Sequence, residues 1–192
     1  MATNPLLLDV PTEIHTERMI LRVPRPGDGP TLLEAVAQGV DRLRPWMPWA
    51  QGEPTLEGNE AYARQAAAQF LLRNVLDYHG YLAAAPDRFV LAGGLHSIEW
   101  SVPCFEIGYW VATPFEGQGY VREAVSAFTR LAFETLGAVR VEIRCDADNA
   151  RSAAVARASG YIEEARLRQN ARRPDGGLRD TLVFARVRAA GR

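Results

Sequence analysis

The chain has 192 residues, 47% of them hydrophobic, which is enough to bury a substantial core as one domain. Its 22 basic residues are all arginine and its formal net charge is −1, so the composition gives no reason to expect binding to nucleic acid. No stretch is long and apolar enough to span a membrane, and the two cysteines, Cys104 and Cys145, have no metal-ligand spacing. We therefore expect a cytoplasmic protein that binds no metal, no membrane and no nucleic acid.

The first part of the chain contains a predicted strand and a predicted helix. Prolines interrupt residues 1–12, and we expect a flexible arm there. Alternating apolar residues predict a strand over residues 14–23. Asp28 then precedes a helical pattern that continues to about residue 38, and its side chain can cap that helix.

A proline-rich segment follows at residues 43–49, which we call the tryptophan segment. It carries Trp46 and Trp49, each of which directly follows a proline. Two indoles in such a stiffened segment can line a pocket, and a hydrophobic plug over the core is at least as good an interpretation. We take both tryptophans as candidate substrate-binding residues.

The rest of the chain alternates between period-two or continuous apolar runs, which predict strands, and 3.6-residue spacing, which predicts helices. The predicted helices cover residues 55–76, 121–136 and 150–159. The predicted strands cover residues 79–84, 89–100, 105–112, 139–145, 161–169 and 179–187. With the first strand, these make a sheet of about seven strands, with hairpin turns expected at residues 86–87 and 102–103.

Residues 105–120 join a buried strand, a glycine turn and the start of a helix. This arrangement brings free backbone N–H groups and the positive end of the helix dipole to one place, which suits a phosphate. Gly117 and Gly119 have no side chain, so an anion can approach the main chain closely. Glycine turns are also common in ordinary loops, and the pattern alone leaves both interpretations open.

Six short motifs stand in a fixed order along the chain. They are TERMILR at 16–22, LRPWMPW at 43–49, EIGYW at 106–110, GQGY with EA at 117–124, NARS with GY at 149–161, and DG with RD at 175–180. In this order they resemble the GNAT superfamily of N-acetyltransferases, in its ribosomal-protein (RimJ/RimL-like) branch.

The resemblance implies an α/β (α+β) fold with a mixed, mostly antiparallel sheet, helices on both faces and a splayed central strand pair. It covers about residues 13–188, which we expect to form a single domain between the arm at 1–12 and a tail at 189–192. The expected assembly is a monomer or a homodimer.

The resemblance also implies direct transfer of an acetyl group from acetyl-coenzyme A to a primary amine. The leading acceptor is the α-amine of a protein or peptide N-terminus. A small amine, such as an amino acid, a polyamine or an antibiotic, stays open. So does a coenzyme A-binding module without catalysis.

In the family, the turn amides bind the pyrophosphate, the pantetheine arm lies between the splayed strands, and a backbone N–H of the first of these strands binds the thioester oxygen. Carried onto this chain, the pyrophosphate site is residues 117–122 and the oxygen donor lies within residues 108–111. The implied coenzyme-binding residues are Tyr109, Trp110, Val111, Gly117, Gln118, Gly119, Tyr120, Val121, Arg122, Asn149, Arg151 and Ser152.

The resemblance makes Ser152 the candidate that protonates the leaving thiolate, with Asn149 holding the pantetheine arm nearby. The alternative for Ser152 is a serine at a helix start that makes only local hydrogen bonds. Glu106 is the candidate base and a candidate substrate-binding residue. Its alternative is a strand carboxylate paired with Arg140 or Arg144. A weak base or a chain of waters could also suffice, because about a tenth of an α-amine is already neutral at pH 7.

Two positions depart from the family pattern. Glu116 stands where Gln or Arg is usual, and Val121 stands where Gly or Ala is usual. A carboxylate is an unfavourable neighbour for phosphates, unless Arg122 or Arg151 neutralises it. Of the three histidines, His96 can face the cleft, but we favour a structural role in its strand.

Overall fold

The structure of the protein, a computed structural model, describes residues 4–188. The first three residues of the predicted arm and the predicted tail at 189–192 lie outside this range. The α-helices are α1 (Gly29–Ala37), α2 (Val40–Leu43), α3 (Leu56–Leu71), α4 (Tyr120–Arg130) and α5 (Ala150–Ala158). The strands are β1 (Glu13–His15), β2 (Met19–Arg22), β3 (Leu76–Leu82), β4 (Ala85–Glu99), β5 (Cys104–Val111), β6 (Arg140–Asp146), β7 (Ile162–Arg172) and β8 (Leu178–Val187).

The described strands form one mixed sheet of eight strands in the order β1-β2-β3-β4-β5-β6-β8-β7. Neighbouring strands are antiparallel except β5 and β6, which run parallel and are joined through α4. The predicted mixed, mostly antiparallel fold is therefore confirmed.

The sheet has eight strands instead of about seven because the predicted first strand is a small hairpin. The Thr16 N–H and hydroxyl both donate to the Met19 carbonyl oxygen, at 2.9 and 3.0 Å, and close a tight turn between β1 and β2. The apolar alternation runs straight through this turn, so the sequence pattern did not reveal it.

Several other element ends differ from the prediction. The helix predicted to reach residue 76 ends at Leu71, where Arg73 adopts a left-handed conformation with φ of 59° and turns the chain into β3. The turn between β3 and β4 lies at residues 83–84, not at 86–87. The helix predicted at 121–136 is α4, followed by a π-helical turn at Leu131–Thr135.

Near the N-terminus, the end of the predicted arm contacts the domain, because Val10 is buried and the Tyr78 hydroxyl donates to the Pro11 carbonyl oxygen at 2.6 Å. The prediction for Asp28 is wrong. Asp28 precedes α1, but its buried side chain does not cap the helix. The carboxylate instead accepts two hydrogen bonds from the Arg22 guanidinium, at 2.7 and 2.9 Å.

The two faces of the sheet carry different helices. Tyr62 of α3 stacks against His79 of β3, with ring centroids 6.1 Å apart. Tyr78, the neighbour of His79 on the same strand, faces the other way and packs against Phe128 of α4. Because side chains alternate along a strand, α3 and α4 cover opposite faces, as expected for helices on both sides of the sheet.

The β5–β6 pair is splayed, as the resemblance implies. Its paired residues end at Glu106 opposite Glu142, although β5 continues to Val111 and β6 to Asp146. The two strands therefore separate along their C-terminal halves, and a cleft opens between them in the middle of the sheet.

Candidate active site

The cleft between β5 and β6 is part of a cavity of about 1290 Å³. We call it the central cavity. Among the predicted site residues, all within the part of the chain that the structure describes, Glu106 and Gln118 do not line it. The others do: Trp46, Trp49, Tyr109, Trp110, Val111, Gly117, Gly119, Tyr120, Val121, Arg122, Asn149, Arg151 and Ser152.

At one end of the cavity lies the coenzyme turn, residues 117–122. Gly117 and Gly119 have φ of +71° and +83°, a conformation that favours glycine, and α4 begins at Tyr120. The first N–H groups of a helix have no partner within the helix, so those of α4 are directed at this end of the cavity. A Cβ atom at Gly117 would meet no atom within 4 Å, which leaves room for a bulky anion. The turn therefore fits a pyrophosphate.

Arg18 braces the coenzyme turn from the β1–β2 hairpin. Its backbone N–H and its Nε donate to the two carboxylate oxygens of Glu123 at 2.8 and 2.7 Å, and its Nη1 donates to the Gln118 carbonyl oxygen at 2.9 Å. The guanidinium also lies 4.1 Å from the centre of the Tyr120 ring. The Gln118 side chain turns back and donates to the Pro114 carbonyl oxygen, so Gln118 contributes to the turn through its backbone.

Glu116, the acidic departure from the family pattern, is neutralised. A single carboxylate oxygen, Oε2, accepts two hydrogen bonds, one from Arg42 Nη1 and one from Arg151 Nη1, both at 2.7 Å. The sequence pointed to Arg151 and to Arg122, but Arg122 makes no such contact in the described structure, and Arg42 of α2 takes its place. The cluster carries a net positive charge beside the predicted phosphate site.

The splayed part of β5 presents backbone donors to the cleft. The Ala112 N–H donates to the Val90 carbonyl oxygen at 2.9 Å, so the N–H of Ala112 points toward β4. In an antiparallel pair these groups alternate, so the N–H groups of Tyr109 and Val111 point the other way, toward β6. Both residues lie beyond the last β5–β6 pair. Either N–H can therefore bind a thioester oxygen in the cleft.

Ser152 and Tyr109 meet on the α4 side of the cleft. Their hydroxyl oxygens are 2.9 Å apart, and burial raises the pKa of Tyr109 to about 12. Asn149 caps α5 by accepting a hydrogen bond from the Ser152 N–H at 3.0 Å, which fixes the start of the helix. The thiol of Cys145 lines the same region, and burial raises its pKa. The two hydroxyls form a hydrogen-bonded pair, of which the family resemblance pointed only to Ser152.

Glu106 lies on the face of the sheet opposite to Ser152 and Tyr109, at the point where β5 and β6 begin to separate. Its nearest cationic group is Arg144 Nε at 3.9 Å, and this atom is closer to Glu142, at 2.8 Å. Arg140 binds Glu142 and Glu164 instead of Glu106. Glu106 therefore has one long ion-pair contact, with Arg144, and it shares its face of the sheet with Gly108 and His96 without lining the cavity.

His96 of β4 lines the cavity on the same face of the sheet as Glu106. It pairs with Glu106 across the sheet, and its Nε2 lies 2.7 Å from the site that a Cβ atom of Gly108 would take. From the sequence we favour a structural role for this histidine, but the cavity wall includes its side chain. The signal that could have placed it is the strand register, because His96 shares its face with the glycines of β4 and β5.

The tryptophan segment forms part of the cavity wall, which favours the pocket interpretation over a plug. The Trp49 ring lies 5.7 Å from the Trp110 ring, and Trp110 lies 5.2 Å from Phe89. Trp46 lines the cavity from the same segment. The aromatic rings lie on the His96 face of the sheet.

A family model described as "Acetyltransferase (GNAT) domain" matches residues 18–162. The chain belongs to the GNAT acetyltransferase family. The match includes the Arg18 brace, the coenzyme turn, the splayed strands and the start of α5, so it contains the cavity walls except those that the β7–β8 hairpin contributes.

The relatives of this GNAT acetyltransferase include proteins named for ribosomal substrates. It is 30% identical over 154 residues to the Bacillus subtilis (strain 168) protein named "Putative ribosomal N-acetyltransferase YdaF", covering 79% of this chain and 82% of that one. A solved structure of RimL, a ribosomal L7/L12 α-N-protein acetyltransferase in complex with coenzyme A, matches with a TM-score of 0.82 and 21% identity over 93% of this chain and 97% of that one. The microcin C7 self-immunity acetyltransferase MccE, solved with acetyl-CoA and AMP, matches with a TM-score of 0.81 and 20% identity over 97% and 98% of the two chains.

As a GNAT acetyltransferase, the protein transfers an acetyl group from acetyl-CoA, its co-substrate. Within residues 4–188 we find no cluster of three or more His, Cys, Asp or Glu side chains that could hold a metal ion. No helix in that range is long and apolar enough to cross a membrane.

Proposed function

We propose that this acetyltransferase modifies the α-amine of a protein or peptide N-terminus. The observation that carries the proposal is the extent of the central cavity. It continues past the coenzyme cleft to the tryptophan segment on one side and to Arg172, Pro174 and Arg179 of the β7–β8 hairpin on the other. A cavity walled by two separate surface segments can admit the end of a chain whose remainder stays outside. The name of the Bacillus subtilis relative supports the same class of acceptor.

We further propose the following roles for the site residues. The amides of 117–122 bind the pyrophosphate, and Arg42 and Arg151 add positive charge beside it. The N–H of Tyr109 or Val111 stabilises the oxygen of the tetrahedral intermediate. Ser152, hydrogen-bonded to the Tyr109 hydroxyl, supplies a proton to the leaving sulfur, and Asn149 positions Ser152 through the α5 cap.

The reaction suits an α-amine at neutral pH. With a reference pKa near 8, about a tenth of such amines are neutral at pH 7, whereas a lysine amine with a pKa near 10.4 is neutral only about once in several thousand. A modest base is therefore enough for an N-terminus, and a site without a strong base favours it over lysine.

A small amine is the second candidate acceptor. The aromatic wall of Trp49, Trp110 and Phe89 favours it, because stacked rings commonly bind flat or apolar small molecules. A coenzyme-binding module without catalysis was suggested by Glu116, but that carboxylate is paired with two arginines and gives no reason to doubt catalysis. A monomeric or homodimeric assembly, a cytoplasmic location and the lack of nucleic-acid binding stay predictions.

The acceptor class can be tested by measuring thiol release from acetyl-CoA with a panel of amines. The panel contains short peptides with a free α-amine, and related peptides whose N-terminus is blocked and whose only amine is a lysine side chain. It also contains free amino acids, spermidine and an aminoglycoside. We expect turnover with the free peptides and little with the blocked ones. Turnover confined to the small amines would overturn the proposed acceptor and support the second candidate.

A further inference from the structure

A polar cluster lies on the α3 side of the cavity, away from Ser152 and Tyr109. Asp77 of β3, Gly94 of β4 and Gly108 of β5 stand opposite one another across three neighbouring strands. Paired Cα atoms are about 5 Å apart, so Asp77 is about 10 Å from Gly108 across a floor that has no side chains. His96 stands two residues beyond Gly94 on the same face. Asp77, Gly108 and His96 all line the central cavity.

The two glycines of this floor cannot be replaced without a clash. A Cβ atom at Gly94 would run into the carbonyl oxygen of Leu76, and one at Gly108 would displace the His96 ring, whose Nε2 is 2.7 Å from that position. The glycine at 108 is therefore what lets the imidazole lie over β5, next to the N–H groups that bind the thioester oxygen.

The orientation of His96 is set by its neighbour. The Ser97 hydroxyl lies 3.1 Å from His96 Nδ1, at an irregularity where β4 and β5 lose register and Ser97 adopts φ of 48°. If Nδ1–H donates to this hydroxyl, the lone pair of Nε2 is left free and points into the cavity. The left-handed conformation of Ser97 costs free energy, and it holds the Ser97 hydroxyl next to the His96 ring.

We propose that His96 is the general base of the reaction and that Asp77 binds the acceptor ammonium before transfer. This rests on the proposed function, because it assigns roles toward the same amine. Ser152 and Tyr109 reach the cleft from one face of the sheet and His96 reaches it from the other. The group that donates a proton to sulfur and the group that removes one from nitrogen thus approach the thioester from opposite sides.

The proton balance is as follows. His96 Nε2 accepts a proton from the ammonium and passes it to solvent. The nitrogen lone pair then forms the C–N bond while the carbonyl electrons move to the oxygen held by the β5 N–H. That electron pair returns to re-form the carbonyl as the C–S bond breaks with its own electron pair on sulfur. Ser152 protonates that sulfur, and the second proton of the nitrogen replaces the one that Ser152 gave. The products are the acetylated amine, coenzyme A and one released proton.

The charges around the cluster support an ammonium site. The Tyr62 hydroxyl donates to Asp77 Oδ2 at 3.3 Å, and His79 and His96 are its other titratable neighbours. Burial raises the pKa of Asp77, with smaller opposing effects from these neighbours. An arriving cation favours the ionised carboxylate, so the site gains an ion pair when the amine binds. Glu106 faces His96 from β5 but is excluded from the cavity wall.

The kinetic test compares His96→Gln with Glu106→Gln and with His15→Gln, an exposed histidine that serves as control. The amine is whichever acceptor the wild type uses best in the panel. For His96→Gln we expect kcat to fall about 100-fold at pH 7, a loss that shrinks toward pH 9.5 as the amine deprotonates unaided, with the KM for acetyl-CoA unchanged. Ser97→Gly should lose part of the rate, and Asp77→Asn should raise the KM for the amine more than it lowers kcat. If Glu106→Gln shows the pH-dependent loss and His96→Gln does not, the proposal is wrong.

A second measurement does not depend on turnover. The chain has only three histidines, so selective isotope labelling resolves each imidazole by NMR. In the complex with coenzyme A, which cannot react, a Ser-Ala-Ala tripeptide at pH 7 should shift the His96 signals and leave those of His15 unchanged. Asp77→Asn should weaken that response.

The two measurements separate the two proposals. Turnover with small amines alone would end the proposed acceptor class, but a pH-dependent loss in His96→Gln would still support the base. Turnover with peptides and an unaltered pH profile in His96→Gln would end the inference about His96 and leave the acceptor class standing. With no turnover at all, an unshifted His96 signal at millimolar tripeptide would overturn the inference.

Discussion

The guanidinium of Arg18 and the carboxylate of Glu123 join the first hairpin of the sheet to α4, the helix that begins within the coenzyme turn. Both carboxylate oxygens of Glu123 accept hydrogen bonds from Arg18. Burial alone would raise the pKa of Glu123, but the interactions with Arg18 and with the Thr16 side chain outweigh burial, so the pKa is lowered. The same arginine holds the Gln118 carbonyl oxygen. The shape of the anion site therefore depends on a residue about a hundred positions earlier in the chain.

Replacing Arg18 with alanine tests this brace. We expect the Kd for acetyl-CoA to rise about tenfold, because the turn loses the donor that fixes its carbonyl and the charge that orients Glu123. Arg64→Ala, which removes the exposed Arg64–Glu60 pair on α3, is the control and should leave the Kd unchanged. Isothermal titration calorimetry measures both. An unchanged Kd in Arg18→Ala would show that the turn keeps its shape without the brace.

The position of the pyrophosphate is tested at Gly119. Alanine there is strained by the positive φ and adds a methyl group where the phosphate is proposed to lie, so we expect acetyl-CoA binding to weaken at least tenfold. Gly176→Ala is a matched control, because Gly176 has φ of +89° in the β7–β8 turn and open space around it. The two variants should lose similar thermal stability but differ in affinity. Equal affinities would move the phosphate site elsewhere.

Ser152→Ala tests the proton donor. We expect kcat to fall about 10- to 100-fold with little change in the Kd of acetyl-CoA, because the hydroxyl acts as the thiolate leaves. Tyr109→Phe should cause a similar but smaller loss. The double variant should cost less than the product of the two single losses, because the two hydroxyls act as one unit. Full activity in Ser152→Ala would leave the serine with only a local structural role.

Glu116→Gln tests the charge beside the phosphate site. A carboxylate about 7 Å from a phosphate charge at an effective dielectric of about 40 costs about 1 kcal/mol. Removing it should tighten acetyl-CoA binding several-fold at low ionic strength, with the gain fading in high salt. Glu53→Gln, which removes an exposed carboxylate paired with Arg44, is the control. Weaker binding in Glu116→Gln would show instead that the carboxylate serves mainly to hold Arg42 and Arg151 in place.

The pH dependence of stability should report on Asp28. Burial alone would raise the pKa of this carboxyl, but hydrogen bonds from His79 and Arg22 outweigh burial and hold the pKa far below its ordinary range. A lowered folded-state pKa adds stability that is present above the ordinary carboxyl pKa, near 3.9, and is lost as the pH falls below it.

Asp28→Asn should therefore lower the free energy of unfolding by about 3 kcal/mol at pH 7, and the difference from wild type should shrink as the pH falls below 4. Asp41→Asn, at an exposed pair with Arg44, should cost less than about 0.5 kcal/mol. Urea unfolding at several pH values measures both. A difference that stays constant down to pH 2 would contradict the ion-pair explanation.

Local patterns predicted the part of the site that is continuous in sequence. The strand β5, the glycine turn and the start of α4 follow one another within residues 105–130, so periodicity and glycine positions were enough to place them. Ser152, which follows its capping residue Asn149, was assigned instead through the resemblance to the family. Their order along the chain matched the family and gave the fold.

The missing parts depend on the pairing of distant strands. Nothing near His96 in the sequence shows that Gly108 lies under its ring, since this follows from the β4–β5 register and a bulge at Ser97. Glu106 alternates correctly along β5 and shares the predicted face with Gly108, but it does not line the cavity. Arg42 was overlooked because it lies between the predicted helix and the tryptophan segment and was assigned to neither. Asp28 was read as a cap because the register that brings Arg22 beside it is not visible locally.

The most direct test of the acceptor class uses one peptide that carries both a free α-amine and an internal lysine. The protein and acetyl-CoA are incubated with this peptide at pH 7, and tandem mass spectrometry locates the acetyl group. We predict a single acetyl group on the N-terminal nitrogen, formed faster than in a control without the protein. Acetylation of the lysine side chain, or no transfer to this peptide while a small amine is acetylated, would contradict the proposed function.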